Sequence, residues 1–438
     1  MTAAFDTFFS EIAVAIGTDA VNRSEETLRR YGENTMTGGD RWPAGVVYPA
    51  STADVQKIVR SANAHGVPLV TSGPPQGGML GNALDKGAGY TPYIDHFGFS
   101  CGMEVVLGNG ELMRTGDGSL NHDRLVNWHT SKYSFGPILD GLFTQSNFGI
   151  VTRMGVWLLP RPPAVRSFHF VFPDDDDLEE IIELARPMKM SNFVPSLFRV
   201  ANDLYLCGSE GESPEYRVSN GKKSISDAGR RALQQKHGLG AWTLSGAFYG
   251  ASAAAIDPQI ARVRDHFMKS GKARYIAHED AAKIPPLQVA INAFSGIPSL
   301  GELGLLKWRP GGGNTWFLPG TPMDGKIADE FQRLCRKIYE DHGLDYMVMN
   351  VCGARFARGL HVITFNREDP DERARADACY RKMSEEVAKR GVFVGRAPLD
   401  YHDLHFAQTM PGFQQACAAI KKALDPKGVI APGRYGIN

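Results

Sequence analysis

GNALDKGAGYTPYIDHFGFSCGMEVVLGNGELMRTGDG, residues 81–118, joins a glycine-rich loop to a hairpin in one run. In the loop, Asp85 stands among glycines. Taken alone it reads as a turn residue, because a short carboxylate bonds its own backbone. Met103 to Leu107 and Glu111 to Arg114 are apolar-rich and predict two strands. Gly108-Asn109-Gly110 between them accepts positive φ and predicts the turn. A second block, FGPILDGLFTQSNFGIVTRMGVWLLP at 135–160, follows. The stiff PRPPA run, Pro160 to Ala164, breaks any period and marks an expected domain boundary.

Upstream, residues 45–70 read as strand, helix, strand. Gly45 to Tyr48 predicts the first strand. Ser51 with Asp54 three residues on forms a capping box, and Val55, Ile58, Val59 and Ala62 make one apolar helical face. Gly66 ends that helix, and Val67 to Val70 predicts the next strand, with a parallel or mixed neighbour.

Downstream, Arg166 to Phe172 predicts a strand, followed by Asp174 to Asp177 and a helical apolar pattern. Consecutive carboxylates cannot all converge on one ion. They read as acids at a helix N-terminus, favoured by the macrodipole. Trp242 to Tyr249 with Pro258 to Met268, and Tyr346 to Val351 with Asp371 to Arg390, repeat the strand-and-helix unit. A helix over Phe413 to Leu424 and a final VIAPGR close the chain. The expected organisation is α+β in two domains: 1–160, then 161–390 with an antiparallel sheet, with 391–438 as a C-terminal segment.

The chain has 438 residues, long enough to favour two domains. Lys+Arg and Asp+Glu both number 48, so no whole-molecule field draws nucleic acid or an anionic membrane. The cysteines are scattered without a CxxC pair, which predicts free thiols in a reducing compartment. No cationic segment precedes an apolar one at the start, and no apolar run nears the ~20 residues of a bilayer span. A cytoplasmic protein is expected.

These motifs together, a GNxxD loop, then GYTPYxDHF, CGMEVVLxNGE and LDGxFTQxNxGI, resemble the vanillyl-alcohol oxidase and 4-cresol dehydrogenase family of FAD-linked oxidases. The resemblance runs from about Pro43 to Gly436. It implies a two-domain flavoprotein: a PCMH-type FAD-binding domain at 1–160, a cap domain at 161–390, and a tail returning to the first domain. It also implies oxidation of a para-substituted phenol or aromatic alcohol, bound as its phenolate. Hydride leaves the benzylic carbon for flavin N5, and oxygen or a cytochrome takes the electrons. A homodimer is the default assembly.

Residue by residue, the resemblance gives Asp85 the place beside the reactive flavin nitrogen, with Lys86 where the family has arginine. Arg396 matches the phenolate-binding arginine, but Gly395 replaces its neighbouring tyrosine. Read alone, Arg396 is equally a surface or interdomain ion pair. Glu302 matches an acidic cap residue. His361 falls near a family His-His pair, although a lone histidine between Leu360 and Val362 also reads as a satisfied core residue. Gly78, Gly81, Asn82, Gly149, Ile150 and Arg434 match flavin-contacting positions, with Arg434 also near substrate.

The family links flavin covalently through a tyrosine at the position of Leu306 or a histidine at that of Asn314. Neither residue here forms that bond, so bound FAD is expected to be non-covalent. The family's pyrophosphate loop, with further strands and a helix, is absent after Gly73, where Pro74-Pro75 follow at once. Prolines donate no N–H to a diphosphate. The FAD domain is therefore expected to be truncated, and FAD to bind weakly. Two further readings stay open: a flavin-free, non-catalytic relative, and an incomplete gene model.

Overall fold

The computed structural model describes residues 2–72, 78–122 and 124–438. The expected break after Gly73 lies outside the described residues.

The first layer is helical. Helix α1 (Thr2–Ile16) packs on a second helix (Thr52–His65) through Phe8, Phe9 and Ile12 against Ile58 and Ala62. The second helix starts as its sequence dictates. Ser51 accepts from the Asp54 N–H at 3.2 Å, and the Asp54 carboxylate accepts from Ala50 N at 3.2 Å. Gly66 ends it with φ 66°, a left-handed turn that glycine makes without steric cost.

Strand β1 (Val21–Asn22) pairs antiparallel with β2 (Val46–Val47). The strand expected over Val67 to Val70 shrinks to one parallel bridge, Leu69 to Ile430. Its partner is the chain's distant tail, which runs beside it only briefly: Leu69 N–H donates to Val429 O, and Ala431 N–H donates to Leu69 O.

Strands β3 (Ser100–Val106), β4 (Leu112–Arg114) and β5 (Ile150–Val156) form an antiparallel sheet in the order β4-β3-β5. Gly110 in the hairpin turn has φ 80°. The tail helix Pro411–Leu424 joins this sheet, with Cys417 and Ile437 clustering with Met103, Val105 and Phe148. Lys421 fastens the tail further, donating to Asn147 O and Ile430 O, each at 2.8 Å.

After Pro160–Ala164 the chain enters another sheet. It is built of β6 (Ala164–Phe172), β7 (Phe198–Asn202), β8 (Trp242–Gly250), β9 (Arg274–Ala277), β10 (Gly313–Pro322), β11 (Met347–Cys352), β12 (Phe356–Phe365) and β13 (Val394–Arg396). Their order is β13-β10-β12-β11-β7-β8-β6-β9, and every pairing is antiparallel. On one face, Phe168, Phe170 and Phe198 pack under the helices Leu178–Met190, Ala253–Phe267, Gly325–Asp341 and Pro370–Lys389. On the other, Met347, Met349 and Val362 pack against Leu287, Leu305 and Trp308. Both faces are buried, as the apolar composition of these strands requires.

The aspartates at 174–177 lie at a helix start, with Asp174 and Asp177 forming a capping box. Asp175 and Asp176 also reach arginines of other helices: Asp175 pairs with Arg230 and Arg336, and Asp176 with Arg333. All six cysteines are buried and unpaired. Among the described residues, no helix is long and apolar enough to cross a membrane.

Candidate functional site

A cavity of about 660 Å³ lies between the second face of the large sheet and the glycine-rich loop. Five of the ten candidate catalytic and cofactor-binding residues line it: Asn82, Asp85, Glu302, Arg396 and Arg434. They come from four separate parts of the chain.

Asp85 ends the short helix Met79–Leu84 and points into this space. Arg396, on β13, donates from Nε to Asp85 Oδ2 at 2.5 Å. Tyr435 donates its hydroxyl to Oδ1 at 2.9 Å. One carboxylate is therefore held from both sides, by the cap sheet and by the tail. Burial first, and then the Asp85 charge, raise the Tyr435 phenol, which keeps it a donor.

The backbone around Asp85 is unusual. Lys86 (φ 54°), Gln145 (φ 46°) and Tyr435 (φ 57°) all hold left-handed conformations without being glycine. Gln145 donates from Nε2 to Asp85 O at 3.4 Å and Gly395 O at 2.9 Å. Such strained residues persist where surrounding contacts over-determine them, and they gather at functional sites.

His402 supports Tyr435. The rings stack at 4.6 Å, and His402 Nδ1 accepts the Tyr435 N–H at 2.9 Å. Nε2 then carries the proton, facing Ala397 O at 3.2 Å. Burial, and next the Arg434 charge, push this imidazole down to about 4, so it stays neutral and keeps its acceptor.

At the opposite wall Glu302 pairs with Arg199 at 2.5 Å and accepts from Tyr205 at 3.3 Å. Arg199 also lies over the Tyr90 ring at 4.8 Å. Trp316, Leu318, Val351, Phe356 and Leu360 give the cavity an apolar side.

His361 does not reach the cavity. It is buried on the helix-covered face between the rings of Phe317 and Tyr346, at 5.9 and 5.7 Å. Burial lowers it to about 3. Neighbours on a strand point to opposite faces, so Arg358 and Leu360 line the cavity while His361 turns away. His361 is thus a core residue, but not a satisfied one: its Nδ1 is buried without a hydrogen-bond partner among the described residues.

Gly149 and Ile150 also lie off the cavity. A Cβ on Gly149 would sit 2.6 Å from Val105 Cγ1, so this glycine lets β5 close onto β3, where Ile150 pairs with Val106. Gly78 caps the helix Met79–Leu84. Gly81, inside that helix, has nothing within 4 Å of a built Cβ, which leaves an open approach beside Asn82. Asn314 lines the cavity and accepts from the Thr35 hydroxyl at 2.5 Å. The open surface at Gly81, the amide of Asn82 and the cation of Arg434 suit the flat, polar-edged ring of a flavin. The break after Gly73, where the diphosphate is expected to lose its N–H donors, lies outside the described residues.

Tyr435, His402, Gln145 and Arg358 were not legible as site residues. Tyr435 follows Arg434 directly, between residues already singled out, and that adjacency was its one signal.

No family model matches the sequence. Individual proteins do. The chain is 37% identical over 362 residues to the 4-cresol dehydrogenase [hydroxylating] flavoprotein subunit of Pseudomonas putida, covering 82% of this chain and 68% of that one. It is 28% identical over 417 residues to 1'-carboxy-chondrochloren decarboxylase of Chondromyces crocatus, covering 87% and 76%. In structure it matches p-cresol methylhydroxylase with substrate bound, at TM-score 0.94 and 29% identity over 100% of this chain and 98% of that one. It also matches the isoeugenol complex of 4-ethylphenol oxidase from Gulosibacter chungangensis, at TM-score 0.93 and 27% identity over the same shares. The clamped aspartate, the antiparallel cap sheet and the returning tail thus sit in a chain that belongs to the vanillyl-alcohol oxidase and 4-cresol dehydrogenase family of FAD-linked oxidoreductases.

Proposed function

We propose that this protein oxidises a para-substituted phenol or aromatic alcohol, with residues 1–160 and 391–438 holding FAD and 161–390 forming the cap over the substrate, the 391–438 segment also lending β13 to the cap sheet. The observation that carries the reading is the Asp85 carboxylate, fixed by Arg396 and Tyr435 in a cavity with one apolar side. When bound, a flavin supplies the hydride acceptor. Asn82 and Arg434 would hold its ring, the apolar wall would orient the substrate ring, and Arg396 would face the phenolate with a charge-assisted donor. Asp85, aimed by its two donors, would hold or take a proton at the reacting carbon's edge.

The flavin is non-covalent in this reading, because Leu306 and Asn314 stand at the linkage positions. It is also weakly bound, because Pro74-Pro75 offer no N–H groups. Charge-assisted hydrogen bonds contribute about 1.5–3 kcal/mol each, so losing two costs several powers of ten in affinity. Oxygen or a cytochrome is the electron acceptor, and the protein works in the cytoplasm, as a homodimer by default.

The test is the visible spectrum of purified protein, with and without added FAD, before and after acid precipitation. Flavin bands that stay in solution and leave a colourless pellet are expected. A fluorescent flavin travelling with denatured chain overturns the non-covalent reading, and a protein that binds no added FAD at all overturns the oxidase reading. Sub-micromolar binding refutes the weak site alone.

A further inference from the structure

Beside the Asp85 clamp, a second cation faces the cavity without a partner. Arg358 on β12 lies opposite Gly320 on β10, and Arg396 on β13 lies opposite Leu318, two residues earlier on the same strand. Residues two apart on a strand share a face, as do cross-strand partners. Both arginines therefore rise from one face, on either side of β10. Two strand spacings and a two-residue offset put their Cα atoms roughly 12 Å apart. Two extended arginine side chains can converge over that gap.

The floor between them is bare. Gly320 has nothing within 4 Å of a built Cβ, and Gly395 adds no side chain, its built Cβ lying 3.7 Å from Arg358 Nη2. Beneath Arg358 is the ring of Phe356, 5.7 Å from the guanidinium carbon.

Charge makes the arrangement informative. Arg396 spends only its Nε on Asp85. Among the described residues, neither its terminal nitrogens nor the Arg358 guanidinium has a hydrogen-bonded or ion-paired partner. Burial and the neighbouring Arg396 charge push Arg358 below its ordinary range, and the exposed carboxylate of Asp95 offsets this only at longer range. Two guanidinium groups converging in a half-buried space repel each other until an anion lies between them. The apolar wall of Trp316, Leu318 and Leu360 beside them suits an aromatic ring.

We infer that Arg358 and Arg396 form a paired-guanidinium site for the anionic oxygen of an aromatic ligand, with Arg358 the residue that sets its affinity. The ligand chemistry is an aryl oxyanion, either a phenolate or a carboxylate on the ring. This rests on the reading that the cavity takes an aromatic substrate, but needs no flavin step.

The experiment titrates the purified protein, as isolated, with 4-nitrophenol and separately with benzoate, in wild type, Arg358→Ala and Arg358→Lys. Wild type should bind one of them, and nitrophenol, if bound, should ionise at lower pH than free. Arg358→Ala should weaken that ligand about 10- to 100-fold, the loss of one charge-assisted contact, and Arg358→Lys should restore part of it. Loss for nitrophenol identifies a phenolate site, and loss for benzoate a carboxylate site. If Arg358→Ala does not fold, as judged by circular dichroism, the lysine variant decides by a smaller loss in the same direction. Equal affinity in wild type and both variants overturns the role of Arg358, and a wild type that binds neither ligand overturns the site. Flavin reduction by a 4-alkylphenol, measured separately, tells failure of this site from failure of the oxidase reading.

Discussion

The two walls of the cavity are held by different physics. The sheet wall carries Trp316 on β10 and Arg358 and Leu360 on β12, whose far face packs under helices through Phe317, Ile363 and Phe365, in a layer that continues along the sheet to Phe198 on β7 and Phe168 on β6. The loop wall carries Asp85, Lys86 and Arg434 on irregular backbone, where Lys86 and the supporting Tyr435 and Gln145 hold positive φ. Apolar burial fixes the first. Individual hydrogen bonds fix the second, each contributing ~1.5–3 kcal/mol where the Asp85 carboxylate is the acceptor and ~0.5–1.5 kcal/mol where both partners are neutral. The difference shows a division of labour: the sheet supplies a surface whose shape tolerates little change, and the loop supplies one chemical group whose aim depends on a few polar contacts.

The largest expected effect tests the loop wall. Asp85→Asn keeps the size and one acceptor but removes the charge, and should slow flavin reduction by substrate ~10²–10⁴-fold while the protein still folds. Stopped-flow rates equal to wild type would return Asp85 to the class of turn residues. Next comes the sheet wall. Phe198 is fully buried against Phe168 and Phe267, and Phe198→Ala should cost about 3–5 kcal/mol in urea unfolding. A loss under about 1 kcal/mol would mean that apolar packing does not hold this wall.

Acid should act on both walls together. His361 lies behind the sheet and His402 in the loop wall, pushed down to about 3 and about 4, each first by burial. Their folded values lie below the ordinary value near 6.5, so the unfolded chain binds more protons. Stability is then complete above about pH 6.5 and falls as pH drops toward 4, with each histidine removing up to ~1.4 kcal/mol per pH unit. Urea midpoints unchanged between about pH 7 and about pH 4.5 would contradict this. The smallest effect is Tyr435→Phe, which deletes one donor to the part-exposed Asp85 carboxylate and should cost ~1.5 kcal/mol. If it also slows flavin reduction as much as Asp85→Asn does, the aim of the carboxylate, rather than its charge, governs the rate.

What the sequence made legible follows from range. The capped helix Thr52–His65 and the Gly108–Gly110 hairpin were readable because every residue that decides them lies within a few positions. The antiparallel cap sheet was readable from repeated strand-and-helix units, although its strand order was not. The strand at Val67 to Val70 was misjudged because its partner, Ile430, is a distant stretch that runs alongside for one residue. His361 and Arg358 differ only in the phase of one pleat, which an uncertain register cannot give. Asp85 and Arg396 were found through the resemblance and not through spacing. Tyr435 was missed because its contact with Asp85 spans 350 positions.

That span has a consequence for how the protein is made. At about 5–20 residues per second, translation needs roughly 20–70 s between Asp85 and Tyr435. During that time the glycine-rich loop exists on the ribosome without Arg396 or Tyr435, the two side chains that aim its carboxylate. Lys421 and the bridge at Ile430 arrive late as well. The clamp around Asp85 therefore assembles only after the cap has been synthesised, and a nascent chain carries this aspartate unaimed until Arg396 and Tyr435 have followed it.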